Sequence, residues 1–476
     1  MKQKQLVTAM ALASSLALLA GCDSGDDVSV NLGSDSSSDG GNGGSGSGVT
    51  APENCPTGTS GAVDTDAGAV CVLEGRIEQN VTLSSDYNYL LDGEVVIGNG
   101  DAELTGSATP DEYTLTIEAG TEVFGENDSY LVITRGSKIN AAGTAENPIT
   151  FSSVDEGYEG AGEWGGVVLM GFAQTNADDG SGNVLAEAVG ETEARYYGGS
   201  DNDDNSGIMQ YVRITEGGYE VKTDEEINGL TLFGVGRGTT LDHIQVNSNQ
   251  DDGIEFFGGT ARVSHLVLTG NLDDSIDWDL GFQGNIQYAL VTKVAESGYG
   301  METDNDGSDF DKAPRSRPTL ANVTIVGAAG ADAGAKHREG TGAFVHNSIY
   351  TGDDECLDVD DQSSEITNSE LVYNNVIFNC AANTSDDDDD GAGNEYADTV
   401  AGSNGVSQTD PMLDANYKPA STDAQLGSAV DFQSTPVTGG INTATDFLEN
   451  TDYLGAVDPD ASAPFWYEGW TLEGTL

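Results

Sequence analysis

Basic residues are scarce in this chain. Only 17 of its 476 residues are Lys or Arg, against 81 Asp or Glu, and the formal net charge is −64. A surface of that sign repels nucleic acid and anionic lipid headgroups, so neither is expected as a partner, while divalent cations and basic molecules are attracted. Histidine is also rare, at positions 243, 265, 337 and 346, and with no Cys-x-x-Cys pair nearby there is no zinc signature. Phosphate loop, dinucleotide fingerprint and serine elbow are all missing. With 11 Pro and 64 Gly, the chain suits many short strands and tight turns rather than a helical bundle.

Long apolar runs are confined to the N-terminus, where Lys2 and Lys4 precede the stretch Leu6 to Ala20. That stretch falls short of the roughly 20 apolar residues a membrane-crossing helix needs, so residues 1–21 read as a signal peptide. Its end, Leu19-Ala20-Gly21-Cys22, resembles the bacterial lipoprotein lipobox. The resemblance implies that Cys22 becomes a lipidated N-terminus holding the protein on a membrane. Residues 22–50 are almost all Gly, Ser, Asp and Asn and are expected to form a flexible tether. Asp23 favours inner-membrane retention under the enteric sorting rule, whereas acidic residues near the cysteine mark surface export in Bacteroidetes-like lineages. The long tether favours the outer membrane and outward exposure. The remaining cysteines form two local pairs, Cys55 with Cys71 and Cys356 with Cys380, and in an exported protein these read as disulfides.

From about Cys71 the texture becomes short alternating strands bounded by Gly, Asn or Asp. The segments starting at His243, His265 and Tyr288 align as a repeat of 22 to 23 residues. The register also places Asp251-Asp252-Gly253-Ile254-Glu255-Phe256-Phe257 over Asp273-Asp274-Ser275-Ile276-Asp277-Trp278-Asp279 and then over Glu296 to Glu302. Such a repeat is one rung of a β-solenoid. Alternation sends Ile244/Val246, Leu266/Leu268 and Ala289/Val291 inward from one strand, and Ile254/Phe256, Ile276/Trp278 and Tyr299/Met301 from the next. The expected fold is all-β, a parallel β-helix over residues 51–380 including an N-terminal cap, and the family resemblance given below implies that it is right-handed. Residues 381–476 read as an irregular C-terminal cap with the aspartates at 386–390 in a solvated loop.

Several stretches, among them Trp164 to Gly171, Ile227 to Gly236, Asp251 to Gly259 and Glu302 to Gly307, carry a family resemblance. The chain resembles a group of envelope proteins with the pectin-lyase-like right-handed β-helix, common in Bacteroidetes and marine Proteobacteria. That resemblance implies the fold, and it suggests a TonB-dependent outer-membrane transporter as a partner.

Since the inward positions are apolar, Glu255, Asp277, Asp279 and Glu302 are expected on the outside, with Asp251/Asp252 and Asp273/Asp274 in the preceding turns. Two unit charges about 5 Å apart at an effective dielectric near 20 repel by roughly 3 kcal/mol, so stacked carboxylates need an offset. Calcium suits such an oxygen array, and Asp304-Asn305-Asp306-Gly307-Ser308-Asp309 offers further ligands. In pectate lyases of this fold a basic residue beside calcium takes a proton from a uronate. Lys293, Arg262 and Arg237 are the candidates for that role here. Gln250-Asp251-Asp252-Gly253 is similar to the polygalacturonase aspartate pair, but that family's Gly-His-Gly and Arg-Ile-Lys are absent. The cluster Lys336-His337-Arg338-Glu339 reads as a neutralising patch, His243 over His265 as stacked rung residues, and Trp466/Trp470 as cap or sugar platform. The leading expectation is a monomeric, non-catalytic, calcium-stabilised lipoprotein binding a glycan or a protein partner. A calcium-dependent lyase of acidic glycans is the alternative.

Overall fold

The computed structural model describes residues 51–106, 108–155, 160–187, 189–190, 194–222, 225–360, 370–384, 398, 400–401, 405–420 and 446–476. The expected signal peptide (residues 1–21), Cys22, the expected tether (22–50) and the aspartates at 386–390 lie outside these residues. The chain winds as a right-handed parallel β-helix with three sheet faces. One long strand per rung serves two of them: Gly207–Thr215, Thr240–Asn247, Arg262–Thr269, Asn285–Thr292, Thr319–Val326, Ala343–Thr351 and Leu371–Asn379 stack in parallel register. Each bends at one residue of positive φ: Tyr211, His243, His265, Tyr288, Asn322, Asn347 and Asn375, all between 50° and 59°. A single left-handed residue turns the strand through a corner without breaking the ladder. The third face stacks Tyr130–Ile133, Val167–Met170, Leu230–Phe233, Ile254–Phe257, Ile276–Asp279, Met301–Thr303, Ala335–His337 and Leu357–Val359.

The inward residues expected from alternation are buried, with one exception. Tyr299 is half-buried at the surface and lies under the Lys336 ammonium, 5.6 Å from its ring centre. Ile276 pairs instead with Met301, a step of 25 residues rather than the 22 separating Ile254 from Ile276. The turn before Met301 is longer than its predecessor, so alternation carried across it lands on the wrong residue. Glu302 therefore stacks on Asp277 and not on Asp279.

Both cysteine pairs are disulfide-bonded. Val406 pairs with Val376 on the last long strand, and Val400 and Ala401 join the core there. Residues 446–476 do something the cap reading did not anticipate: they run back along the outside of the helix over the corner ladder. Their backbone docks on outward polar side chains of successive rungs. Gln245 donates to Thr475 Oγ1 (2.9 Å) and accepts from Leu472 N (2.7 Å), Gln287 accepts from Glu449 N (2.8 Å), and Asn322 donates to the Gly455 carbonyl (3.1 Å). Trp470 is fully buried and Trp466 is half-buried, each edge-on to the His243–His265 stack, so neither forms an open sugar platform. Gln245→Ala would strand the buried Leu472 amide, and urea unfolding should register a loss of about 1–2 kcal/mol. No loss would mean that the strap contributes nothing to stability.

Candidate cation-binding cleft

Alternation along the third face turns Thr231, Glu255, Asp277, Glu302, Lys336 and Asp358 outward in one column, rung upon rung. Neighbours in such a column are about 4.8 Å apart. The turns entering this face repeat as well. Asn249 donates to the Asp252 carbonyl (2.8 Å), its own amide donates to Asn271 Oδ1 (3.1 Å), and Asp252 and Asp274 thereby take equivalent places one rung apart. Three carboxylate triads result: Asp251/Asp252/Asp273, Asp252/Glu255/Asp277 and Asp274/Asp277/Glu302, each with ligand oxygens within 4.8 Å of one another.

Most of these carboxylates are oriented by a donor on one oxygen. Asp252 Oδ1 accepts from the Asp274 amide (2.9 Å), Asp274 Oδ1 from the Tyr299 amide, Glu255 Oε2 from Asn228 Nδ2 (2.6 Å) and Glu302 Oε2 from Arg338 Nη2 (2.7 Å). Asp277, shared by two triads, differs: its Oδ1 is buried and meets no donor. Donors that fix one oxygen and leave the other facing a common point are how outer residues orient metal ligands.

The column lies in a cleft of about 400 Å³. Glu187 and Val189 reach it from an insertion that carries the paired strands Val184–Leu185 and Tyr196–Tyr197, and Glu226 from a second, short hairpin. Burial, reinforced by neighbouring carboxylates, pushes Asp251 up to about 7. The same causes push Asp252, Glu255, Asp274, Asp277 and Asp279 well above the usual carboxylate range and raise Asp273. Burial holds Glu302 at about 7 and Asp304 at about 6 even though Arg338 contacts both. At neutral pH such an array either keeps protons or takes cations.

Of the expected metal ligands, the structure brings Asp251, Asp252, Glu255, Asp273, Asp274, Asp277 and Glu302 into the cleft. Asp279 sits beside the column with a buried, donorless Oδ1 near Asp304. Asp306 does not join: although burial opposes it, bonds from Lys312 (2.5 Å) and Ser308 (2.6 Å) lower it to about 2 and tie it within its own loop. The three basic candidates are placed elsewhere. Lys293 is buried against Asp353 (2.8 Å), Arg262 pairs with Asp446 (2.8 Å) and Arg237 with Asp203 (2.5 Å). The basic cluster splits: Lys336 stands at the far end of the column and bonds Asp358 and Asp360, His337 turns inward to Thr303 and Tyr373, and Arg338 reaches Glu302. His243 and His265 stack at 4.2 Å, with both Nδ1 atoms facing the Asp242 carboxylate. A ring nitrogen offers its lone pair in the ring plane, so near-parallel stacked rings suit one metal poorly.

Sequence reasoning missed Glu187, Glu226, Asn228 and the apolar wall of Phe233 and Phe257, whose rings stack at 4.4 Å. For Asn228 a signal was present: Ile227-Asn228-Gly229-Leu230 is the repeat one rung before Asp251-Asp252-Gly253-Ile254.

Residues 75–413 match the family model described as a pectate-lyase-like beta helix domain. No curated protein matches the chain. A crystal structure of the Dettilon tailspike protein aligns at 11% identity and a TM-score of 0.21, over 63% of this chain and 63% of the tailspike chain. With most of its length inside the family model, this chain belongs to the pectate-lyase-like beta helix domain family.

Proposed function

We propose that this is a lipid-anchored envelope protein of the outer membrane that binds calcium in the third-face cleft and serves as a non-catalytic binding module for a glycan or a protein partner, including an outer-membrane transporter. One observation carries the reading: three overlapping carboxylate triads, oriented by backbone amides, Asn228 and Arg338, whose shared member Asp277 has a buried oxygen without a donor. Calcium accepts six to eight oxygens in flexible geometry, which suits carboxylates contributed by successive rungs. Asp252, Glu255, Asp274, Asp277 and Glu302 would hold it, and its charge would replace the protons that burial otherwise retains.

The lyase alternative needs a base that can lose its proton beside the ion. Arg338 occupies that place, yet Glu302 and Asp304 hold it protonated far above the range of a working base. That supports the non-catalytic reading. Calorimetric titration with calcium tests it: saturable binding is expected, and Asp277→Asn should weaken it by about tenfold or more, the loss of one charged ligand to two triads. Identical titrations of the two proteins would exclude the cleft. Unsaturated uronate products absorbing near 235 nm would instead establish the lyase.

A further inference from the structure

The strap forms a second groove, away from the acidic cleft. Where Tyr467 to Leu476 pass beside Ala415 to Tyr417, they enclose about 770 Å³, within the range of about 300–1,000 Å³ typical of small-ligand sites. Much of its lining is open: Tyr417 and Arg213 are half-buried, and Glu468 and Glu473 are exposed. None of these belongs to the carboxylate triads.

Tyr417 is held in the groove by a closed turn. The Asp414 carboxylate accepts from the amides of Asn416 (2.8 Å) and Lys418 (3.1 Å), the Asp414 carbonyl from the Tyr417 amide (3.0 Å), and the Lys418 carbonyl from the Asp414 amide (3.0 Å). The turn sets Tyr417 at a φ of 60°, in the left-handed region that bulky residues rarely enter. Tyr211 and Tyr288 adopt such a φ to take a rung through its corner, whereas Tyr417 belongs to no strand. Glycine would close this turn without strain, so what the tyrosine adds is its ring. Tyr467 backs that ring edge-on at 6.2 Å between centres, and its hydroxyl donates to the Asn416 carbonyl (3.3 Å). The Tyr417 hydroxyl itself has no partner among the described residues.

An aromatic face flanked by a guanidinium and two carboxylates, planar groups that bond in pairs, suits a ring that is apolar on its faces and carries hydroxyls at its edge. Glu468 and Glu473 outnumber Arg213 and the chain carries a net charge of −64, which disfavours an anionic ligand. A folded protein partner would need about 1,000 Å² or more of interface with an apolar centre, and the open apolar lining here is limited to Ala415 and Leu476 beside Tyr417. We propose that this groove binds a neutral glycan, one sugar ring lying on Tyr417 with its hydroxyls toward Glu468, Glu473 and Arg213. The proposal rests on the reading of the protein as a glycan-binding module, and it requires no calcium.

The test applies the full-length protein to a glycan array carrying neutral and uronate-containing oligosaccharides, in calcium and in chelator. Neutral glycans should bind under both conditions, and the strongest is then titrated by calorimetry. Tyr417→Ala should weaken it by about tenfold, as expected for the loss of one stacking face, while Tyr417→Phe should keep most of the affinity. Both variants should bind calcium as the parent does. Binding of uronate glycans alone, equal affinity of the parent and Tyr417→Ala, or no glycan bound at all would overturn the proposal, the last in favour of a protein partner. Calcium affinity is measured on the same proteins, so glycan binding lost with calcium binding intact sinks this inference alone, and the converse sinks the cleft.

Discussion

In chelator, the contribution of the cleft to stability is expected to fall as pH rises from about 4 to about 7, and calcium should abolish that fall. Unfolded Asp and Glu titrate near 3.9 and 4.3. In the folded protein burial raises Asp251 and Glu302 to about 7 and Asp304 to about 6, and it pushes several neighbours, Asp277 among them, well above the ordinary carboxylate range. The native state therefore binds more protons than the unfolded chain throughout that interval. Stability must decline as pH rises through it and level off above the folded values. A tenfold difference in proton affinity between the folded and unfolded states corresponds to about 1.4 kcal/mol, so the decline amounts to several kcal/mol even after coupling among the groups is allowed for.

Buried histidines act in the opposite direction: burial lowers His337 to about 3 and His346 to about 4, which costs stability as pH falls below about 6.5. Neither lines the cleft, so their contribution is expected to be the same with and without calcium. The quantity to measure is thus the difference in melting temperature between calcium and chelator. It should be small at pH 5, grow through pH 7 and flatten only once the folded carboxylates have titrated, with about 2.7 kcal/mol available at a hundredfold excess over the dissociation constant. A difference independent of pH would mean that these carboxylates are not the calcium ligands.

The rungs were legible because two periods coincide in the sequence. Ile254/Phe256 and Ile276/Trp278 alternate within a strand and recur 22 residues later, and both requirements come from the core. Legibility ended where turn length changed. Met301, not Tyr299, follows Ile276, and Glu302 consequently faces Asp277. Turns are constrained by local hydrogen bonds such as Tyr299 N to Asp274 Oδ1, which leave no periodic trace. The carboxylates of the column could be named from alternation alone, whereas the cleft that buries them could not. Its roof comes from an insertion outside the repeat, and its effect, the raised carboxylates, depends on that burial. The outer strap was likewise hidden, since Gln245, Gln287 and Asn322 look like ordinary solvated residues until residues 446–476 lie on them.

Arg135 ties that roof to the helix, and Arg135→Met is expected to cost about 3–5 kcal/mol, because it strands the buried carbonyls of Gly100 and Gly198 and removes two further bonds to the insertion and its neighbour. The guanidinium is wholly buried and bonds only uncharged oxygens: the carbonyls of Gly100 (2.7 Å), Ala102 (2.8 Å), Gly182 (2.8 Å) and Gly198 (3.1 Å), and Asn183 Oδ1 (3.4 Å). Phe172 lies beneath it, its ring centre 5.5 Å away, and burial lowers the guanidinium to about 10. Nearby Asp101 is occupied by Arg76 and Arg195, so the charge is carried by carbonyl dipoles and an aromatic face. Packing is tight: a Cβ on Gly100 would lie 1.9 Å from the Arg135 carbonyl oxygen. Gly182, Asn183 and Gly198 flank the two strands that bring Glu187 and Val189 over the carboxylates, so the substitution should loosen the insertion first. Hydrogen exchange should therefore rise across residues 171–187 while the rungs beyond Thr240 stay protected. Once exposed to water, the carboxylates should titrate nearer their ordinary range, which would shrink the pH dependence in chelator along with the loss of stability. Arg135→Lys, with one compact ammonium in place of five forked donors, should recover little of either. A stable Arg135→Met protein with unchanged exchange in the insertion would show that the roof is held by other contacts, and that burial of the acidic column does not depend on this residue.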